Sequence, residues 1–141
     1  MHNTICGITA AAAGALLLAA GATAGQSGTA QSTVRDIMLG MTAPASDVIF
    51  KAQSEAPTTD EEWRAVQAAA ERLAESGRLL LRAPRARPEA EWKEMTEALI
   101  RAAERVGTLA GTHDGTALVD AGDAVYLTCE TCHVRFVGGA Q

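Results

Sequence analysis

Apolar residues recur every three or four positions along four stretches of this chain, and charged residues occupy the positions between them. The most regular repeat follows Thr59, and its apolar positions are Trp63, Val66, Ala70, Leu73, Gly77 and Leu80. This spacing gives an α-helix one apolar stripe. No stretch shows the alternation that is typical of half-buried strands. The pattern predicts an all-α fold.

Capping residues and prolines indicate where the predicted helices begin. The first helix is expected to start at Ser32 as its N-cap. Gly40 and Pro44 interrupt it, and Pro44 either kinks one long helix or begins a second, shorter one. Thr59-Asp60-Glu61-Glu62 is a capping-box pattern for the second helix. Pro88 suits the first position of the third helix.

Two further stripes belong to the third and fourth helices. The stripe of the third helix consists of Trp92, Met95, Leu99, Ala102, Val106 and Leu109. The fourth helix is predicted from about Thr116 to Phe136, and its stripe consists of Leu118, Ala121, Val125, Cys129, Cys132 and Phe136. Short connections between four amphipathic helices predict an antiparallel four-helix bundle over residues 32–137.

The amino-terminal segment has a different composition. Residues 5–24 are nearly all apolar or small, and Ala22-Thr23-Ala24 fits the small-x-small rule for cleavage before Gly25. A retained transmembrane anchor is the other interpretation, although the run is short and rich in Ala and Gly. We interpret residues 1–24 as a signal peptide and expect no stable membrane insertion after cleavage. Residues 25–31 and 138–141 are predicted to be flexible tails.

Charge and cysteine content narrow the function classes. The net charge is −5, which gives no indication of nucleic-acid binding. Cleavage removes Cys6 and leaves Cys129 and Cys132, so no cysteine remains for a structural disulfide. There are no paired carboxylates in an apolar setting, no nucleophile elbow and no phosphate-binding glycine loop. The sequence therefore does not predict an enzyme.

The segment Cys129-Glu130-Thr131-Cys132-His133 carries the clearest chemistry. C-x-x-C-H is typical of the covalent attachment of one c-type haem. The spacings i, i+3 and i+4 share one helix face, so both thiols can reach the haem vinyl groups while His133 reaches the iron as proximal ligand. Attachment requires reduced thiols outside the cytoplasm, which together with the signal peptide predicts a periplasmic protein.

Two other interpretations of the cysteine pair stay open. A thioredoxin-like dithiol belongs in a βαβ context, which is not visible in the pattern. A structural zinc site needs about four ligands. Outside the segment 1–24, His113 is the one further histidine, so zinc would have four nitrogen and sulfur ligands at most. Either interpretation would make the chain a non-haem helical module.

A helical chain with C-x-x-C-H at its carboxyl end resembles the class II c-type cytochromes, the cytochrome c′ family. Arg87-Pro88-Glu89 followed by Trp92 resembles the start of that family's third helix, and Phe136 matches the aromatic residue that follows the motif. The first helix carries Met38 and Met41 where the family has its distal haem residue. Val137 departs from the resemblance, because relatives often have a basic residue there.

The resemblance implies two functions that differ on the distal side of the haem. A methionine on the iron, Met38 first and Met41 second, implies a six-coordinate electron carrier that meets periplasmic redox partners. An apolar residue there implies a five-coordinate haem that binds small gases such as nitric oxide or carbon monoxide. In that case neither methionine is a ligand, and both pack in the core. Met95 is expected in the core in either case, and relatives often form homodimers.

Other side chains are candidates to contact the haem. Tyr126 lies one turn before Cys129 and is a candidate for the haem edge, with packing as the other interpretation. Arginine suits the haem carboxylates, and Arg35 is the first candidate because it neighbours Met38. The further arginine candidates are Arg82, Arg85 and Arg87. Solvated surface charge is the alternative for all of them.

Overall fold

The computed structural model describes residues 32–138, and every regular element in that range is helical. The elements are α1 (Val34–Ile37), a π-helix (Met38–Thr42), α2 (Ala43–Ser54), α3 (Asp60–Leu80), α4 (Ala90–Gly111) and α5 (Gly115–Phe136). The prediction of an all-α fold is confirmed for these residues. The proposed signal peptide (1–24), the tail 25–31 and residues 139–141 lie outside the described range.

The long helices surround one apolar core. α3 contacts α2 and α4, and α5 contacts α4 and α2. Each of these helices contributes a side chain with no exposed surface, namely Ile49, Leu73, Val106 and Val125. This arrangement is compatible with a helical bundle, while the antiparallel order and the attached haem stay predictions. Within residues 32–138, no helix combines the length and apolarity needed to cross a bilayer.

The segment around Pro44, for which the sequence offered a kinked long helix or a second, shorter helix, is a continuous run of helix with one irregular turn. α1, the π-helix and α2 follow one another directly, and Pro44 lies in the first turn of α2. The turn is widened, because the Ala43 amide donates to the Met38 carbonyl five residues earlier. A proline lacks the N–H that an α-turn needs, and this accounts for the irregular turn at Pro44.

The capping box before α3 is confirmed. The Glu62 amide donates to Thr59 Oγ1 at 3.2 Å, and the Glu62 carboxylate accepts the Thr58 and Thr59 amides at 2.7 and 3.0 Å. These bonds favour the charged carboxylate, so the pKa of Glu62 lies below its ordinary value. The box satisfies amides that a helix start otherwise leaves without a partner.

Two predicted helix starts are wrong by one or two residues. The first helix is capped by Thr33 instead of Ser32, because Asp36 stands three residues after Thr33 and closes a capping box with it. The third helix begins at Ala90 with Glu89 as its N-cap, so Pro88 lies outside the helix. The extended backbone of Glu89, with φ −67° and ψ 129°, separates Pro88 from the first helical turn.

Two glycines permit close contact between helices. A β-carbon at Gly77 in α3 would lie 2.6 Å from Ile100 Cγ1 of α4. A β-carbon at Gly122 in α5 would lie 2.6 Å from the side-chain oxygen of Gln53 in α2. The Gln53 amide group also donates to Asp123 Oδ1 at 2.5 Å. These contacts fix α5 against α2, and α5 carries the C-x-x-C-H motif.

Candidate functional site

The motif residues lie on the last two turns of α5. Cys129 and Cys132 are free, partly buried thiols, and His133 is exposed. The helix continues past them, and the Val137 amide donates to the His133 carbonyl at 2.8 Å. The three side chains line the same cavity, as the i, i+3, i+4 spacing requires.

This cavity is small and almost wholly apolar. Its volume is about 40 Å³. The lining residues are Met38, Thr42, Leu80, Met95, Thr96, Leu99, Thr128, Cys129, Cys132 and His133. The two buried hydroxyls among them have partners, since Thr42 donates to Ser76 Oγ at 3.0 Å and Thr96 donates to the Trp92 carbonyl at 2.7 Å.

Met38, Met41 and Met95 occupy different positions relative to the cavity. Met38 is partly buried and lines the cavity together with His133. Met38 and Met41 both pack against a neighbouring apolar cluster that contains Ile37 and Trp92, but Met41 is not part of the cavity wall. Met95 on α4 lines the cavity too, so its expected role as a core residue was incomplete. Met38 is therefore the first-helix methionine that faces the motif.

Burial changes the acidity of both thiols. Loss of water contact raises the pKa of Cys129, and the same effect raises the pKa of Cys132. At Cys132 the positive charge of Arg87 acts in the opposite direction but does not cancel the increase. Both sulfurs are thus held mainly as neutral thiols near pH 7.

Aromatic and arginine side chains surround the end of the motif. Phe136 meets Trp92 edge to face, with ring centroids 5.1 Å apart. The Arg87 guanidinium carbon lies 5.0 Å from the centre of the Trp92 ring and 5.3 Å from that of Phe136. Arg135 lies 5.2 Å from the centre of the Phe136 ring and pairs with Glu91 at 2.7 Å. Phe136 thus holds α5 against the start of α4.

Of the four arginines considered as partners of haem carboxylates, Arg87 is the one whose charge acts on a motif residue. Arg35 is exposed on α1 and does not line the cavity. Arg85 is buried, and its guanidinium donates to the Leu79 carbonyl at 2.7 Å, which is a structural role. Arg82 lies 3.8 Å from the carboxylate of Glu75.

Tyr126 lies away from the cavity wall. Its side chain is 55% exposed, and its ring meets Phe50 of α2 edge to face at 6.4 Å. Packing between α2 and α5 is the role that these contacts support.

The donor set of the cavity fits a covalent haem. Two thiols and an imidazole come from α5, one thioether comes from Met38 and a second from Met95, and the rest of the lining consists of leucines and threonines.

The structure keeps His113 apart from the two cysteines. Its ring stacks on Trp63 with centroids 5.0 Å apart, just before the start of α5. Cys129 lies roughly 20 Å further along α5, because an α-helix rises about 1.5 Å per residue. His113 is thus not positioned as a further zinc ligand. Among residues 32–138, no three His, Cys, Asp or Glu side chains gather as a metal site.

Comparisons with protein-family models, with curated proteins and with solved structures give no match to this chain. The resemblance to the cytochrome c′ family therefore depends on the motif and on the individual residues named above.

Proposed function

We propose that this chain is a periplasmic c-type cytochrome that carries electrons through one covalently attached haem, with His133 and Met38 as the axial ligands. The observation that supports the proposal is one apolar cavity lined by Met38 and by all three motif residues. When bound, haem supplies an iron that accepts and releases one electron.

The cysteines provide the covalent attachment. Cys129 and Cys132 would hold the haem through two thioether bonds, each formed by adding one thiol S–H across one vinyl group with no atom lost. Cys129 and Cys132 stand three residues apart on α5, which presents both sulfurs to the cavity. The neutral thiols, favoured by burial, carry the hydrogen that this addition consumes.

Met38 determines which cytochrome function follows. A methionine that held the iron would raise the haem potential and would leave no position for a gas ligand. Leu80 and Leu99 give the cavity aliphatic walls beside Met38. An electron carrier needs this closed arrangement, whereas a gas-binding haem needs the position of the Met38 thioether to be free.

Covalent attachment is tested by the intact mass of the purified full chain, expressed in a bacterium that attaches haem to a reference c-type cytochrome. We expect the mass of the mature chain plus one haem, with the colour retained after acid and organic extraction. The double variant Cys129→Ser/Cys132→Ser should lose the covalent haem. Thr131→Ser, which changes the same turn and spares the thiols, should retain it.

A wild-type chain that carries no covalent haem in that host would overturn the proposal. Zinc or a disulfide in place of haem would then identify the chain as a non-haem helical module.

A further inference from the structure

The π-helix begins with the proposed ligand, Met38, and has a local cause. In an α-helix the amide of residue 44 would donate to the carbonyl of Gly40, but Pro44 has no N–H. The Gly40 carbonyl instead accepts a hydrogen bond at 2.8 Å from the Arg72 guanidinium on α3. Arg72 thus replaces the donor that Pro44 removes.

A second contact joins the same turn to α3. Thr42 Oγ1 donates to Ser76 Oγ at 3.0 Å, and Ser76 Oγ donates to the Leu73 carbonyl at 2.7 Å. Both Thr42 and Ser76 are buried. Arg72 and Ser76 stand four residues apart and share one face of α3. Two successive turns of α3 therefore hold the π-helix.

The π-helix determines the direction in which Met38, its first residue, and the residues before it face relative to α2. Ile37 and Thr42 are five residues apart, yet both are buried, at 2% and 6% exposure. In a regular α-helix, at about 100° per residue, two such positions would lie about 140° apart. One residue fewer in this turn would rotate Met38 by about 100° relative to α2. The direction of Met38 toward the cavity therefore depends on the widened turn.

We propose that Arg72 is a positioning residue that keeps Met38 directed at the haem iron by holding the π-helix open at Gly40. The inference rests on the proposed function, because it requires Met38 to be the ligand. Without the Arg72 guanidinium, the Gly40 carbonyl has water as its hydrogen-bond donor. The π-helix is then free to change its conformation, and Met38 moves away from the iron.

The test is the affinity of the oxidised haem-loaded protein for imidazole, which must displace Met38 to bind. In Arg72→Met we expect the affinity to increase about five-fold or more, the equivalent of one ordinary hydrogen bond. The methionine–iron charge-transfer band should weaken in parallel. Arg64→Met is the matched control, because Arg64 also lies on α3 and donates to a backbone carbonyl, that of Asp60. Its imidazole affinity should stay within about two-fold of wild type.

Two more variants keep the test decisive if Arg72→Met folds poorly. Arg72→Lys retains a cationic donor and should restore most of the wild-type affinity. Pro44→Ala returns the N–H that a regular α-turn needs, so the widened turn should close and Met38 should turn away from the iron. Pro44→Ala should therefore raise the imidazole affinity at least as much as Arg72→Met.

The outcomes separate the two proposals. If the wild type has a methionine–iron band and Arg72→Met keeps the wild-type imidazole affinity, the positioning role is wrong and the electron-carrier function stands. A lower melting temperature without a change in affinity has the same meaning, since it indicates a purely structural contact. If the wild type has covalent haem but no methionine–iron band, both the ligand assignment and the role of Arg72 fall.

Discussion

At the scale of single residues, the proposed function depends on which methionine faces the motif. Met38 and Met41 have the same chemistry and lie in the same π-helix. Both pack against the cluster around Ile37 and Trp92, but Met38 also lines the cavity with His133, whereas Met41 does not. The two residues therefore form a matched pair for substitution.

Met38→Ala should convert a low-spin oxidised spectrum to a high-spin one and abolish the methionine–iron band, because alanine has no donor atom. Met41→Ala should keep the wild-type spectrum and lower only the melting temperature, since it removes apolar contacts. The measurement is the absorption spectrum of both haem-loaded variants, with thermal unfolding alongside. An unchanged spectrum in Met38→Ala would exclude Met38 as the ligand.

Residue types and spacing indicated part of this site. The C-x-x-C-H motif identified its three residues because the chemistry fixes their spacing on one helix. The contribution of Arg72 was not predicted, because its partner Gly40 is 32 positions away in sequence and belongs to another helix. The sequence did not predict that Met95 lines the cavity, because a core residue and a cavity-lining residue have the same apolar spacing.

At the scale of elements, the apolar stripes predicted the helices well and their ends less well. The capping box at Thr59 was evident because its two partners lie within one turn. The π-helix was not predicted, because Pro44 is compatible with a kink, a break or a widened turn. Contacts from Arg72 and Ser76 on α3 accompany the widened turn, and such tertiary contacts leave no local pattern.

The capping box before α3 should make stability depend on pH. The pKa of Glu62 is lowered in the folded state by bonds from Thr58 and Thr59. The charged Glu62 carboxylate therefore stabilises the folded chain fully above the ordinary glutamate pKa of about 4.3. This contribution to the free energy of unfolding is lost as the pH falls through the folded-state pKa. Glu62→Gln should lower the melting temperature at pH 7 more than at pH 3.

Thermal unfolding of the haem-loaded protein at both pH values measures this difference. Glu61→Gln is the control, because it changes a carboxylate in the same helical turn. An equal loss of melting temperature at pH 7 and pH 3 in Glu62→Gln would contradict the assigned role of the charged carboxylate.

At the scale of the whole molecule, the helices bring distant segments to one cavity. The first helix contributes Met38, α3 contributes Leu80, α4 contributes Leu99, and α5 contributes the motif. The sequence predicted an all-α chain, but the stripes alone do not specify how far apart the helices stand. Phe136 of α5 meets Trp92 of α4 edge to face, which joins these two helices at the end that carries the motif.

The most direct test of the central claim is the absorption spectrum of the purified wild-type protein, oxidised and reduced, before and after addition of carbon monoxide. A haem held by His133 and Met38 predicts sharp reduced bands, a methionine–iron charge-transfer band in the oxidised protein and little response to carbon monoxide. A broad high-spin spectrum that shifts with carbon monoxide would contradict the claim and identify a five-coordinate, gas-binding haem.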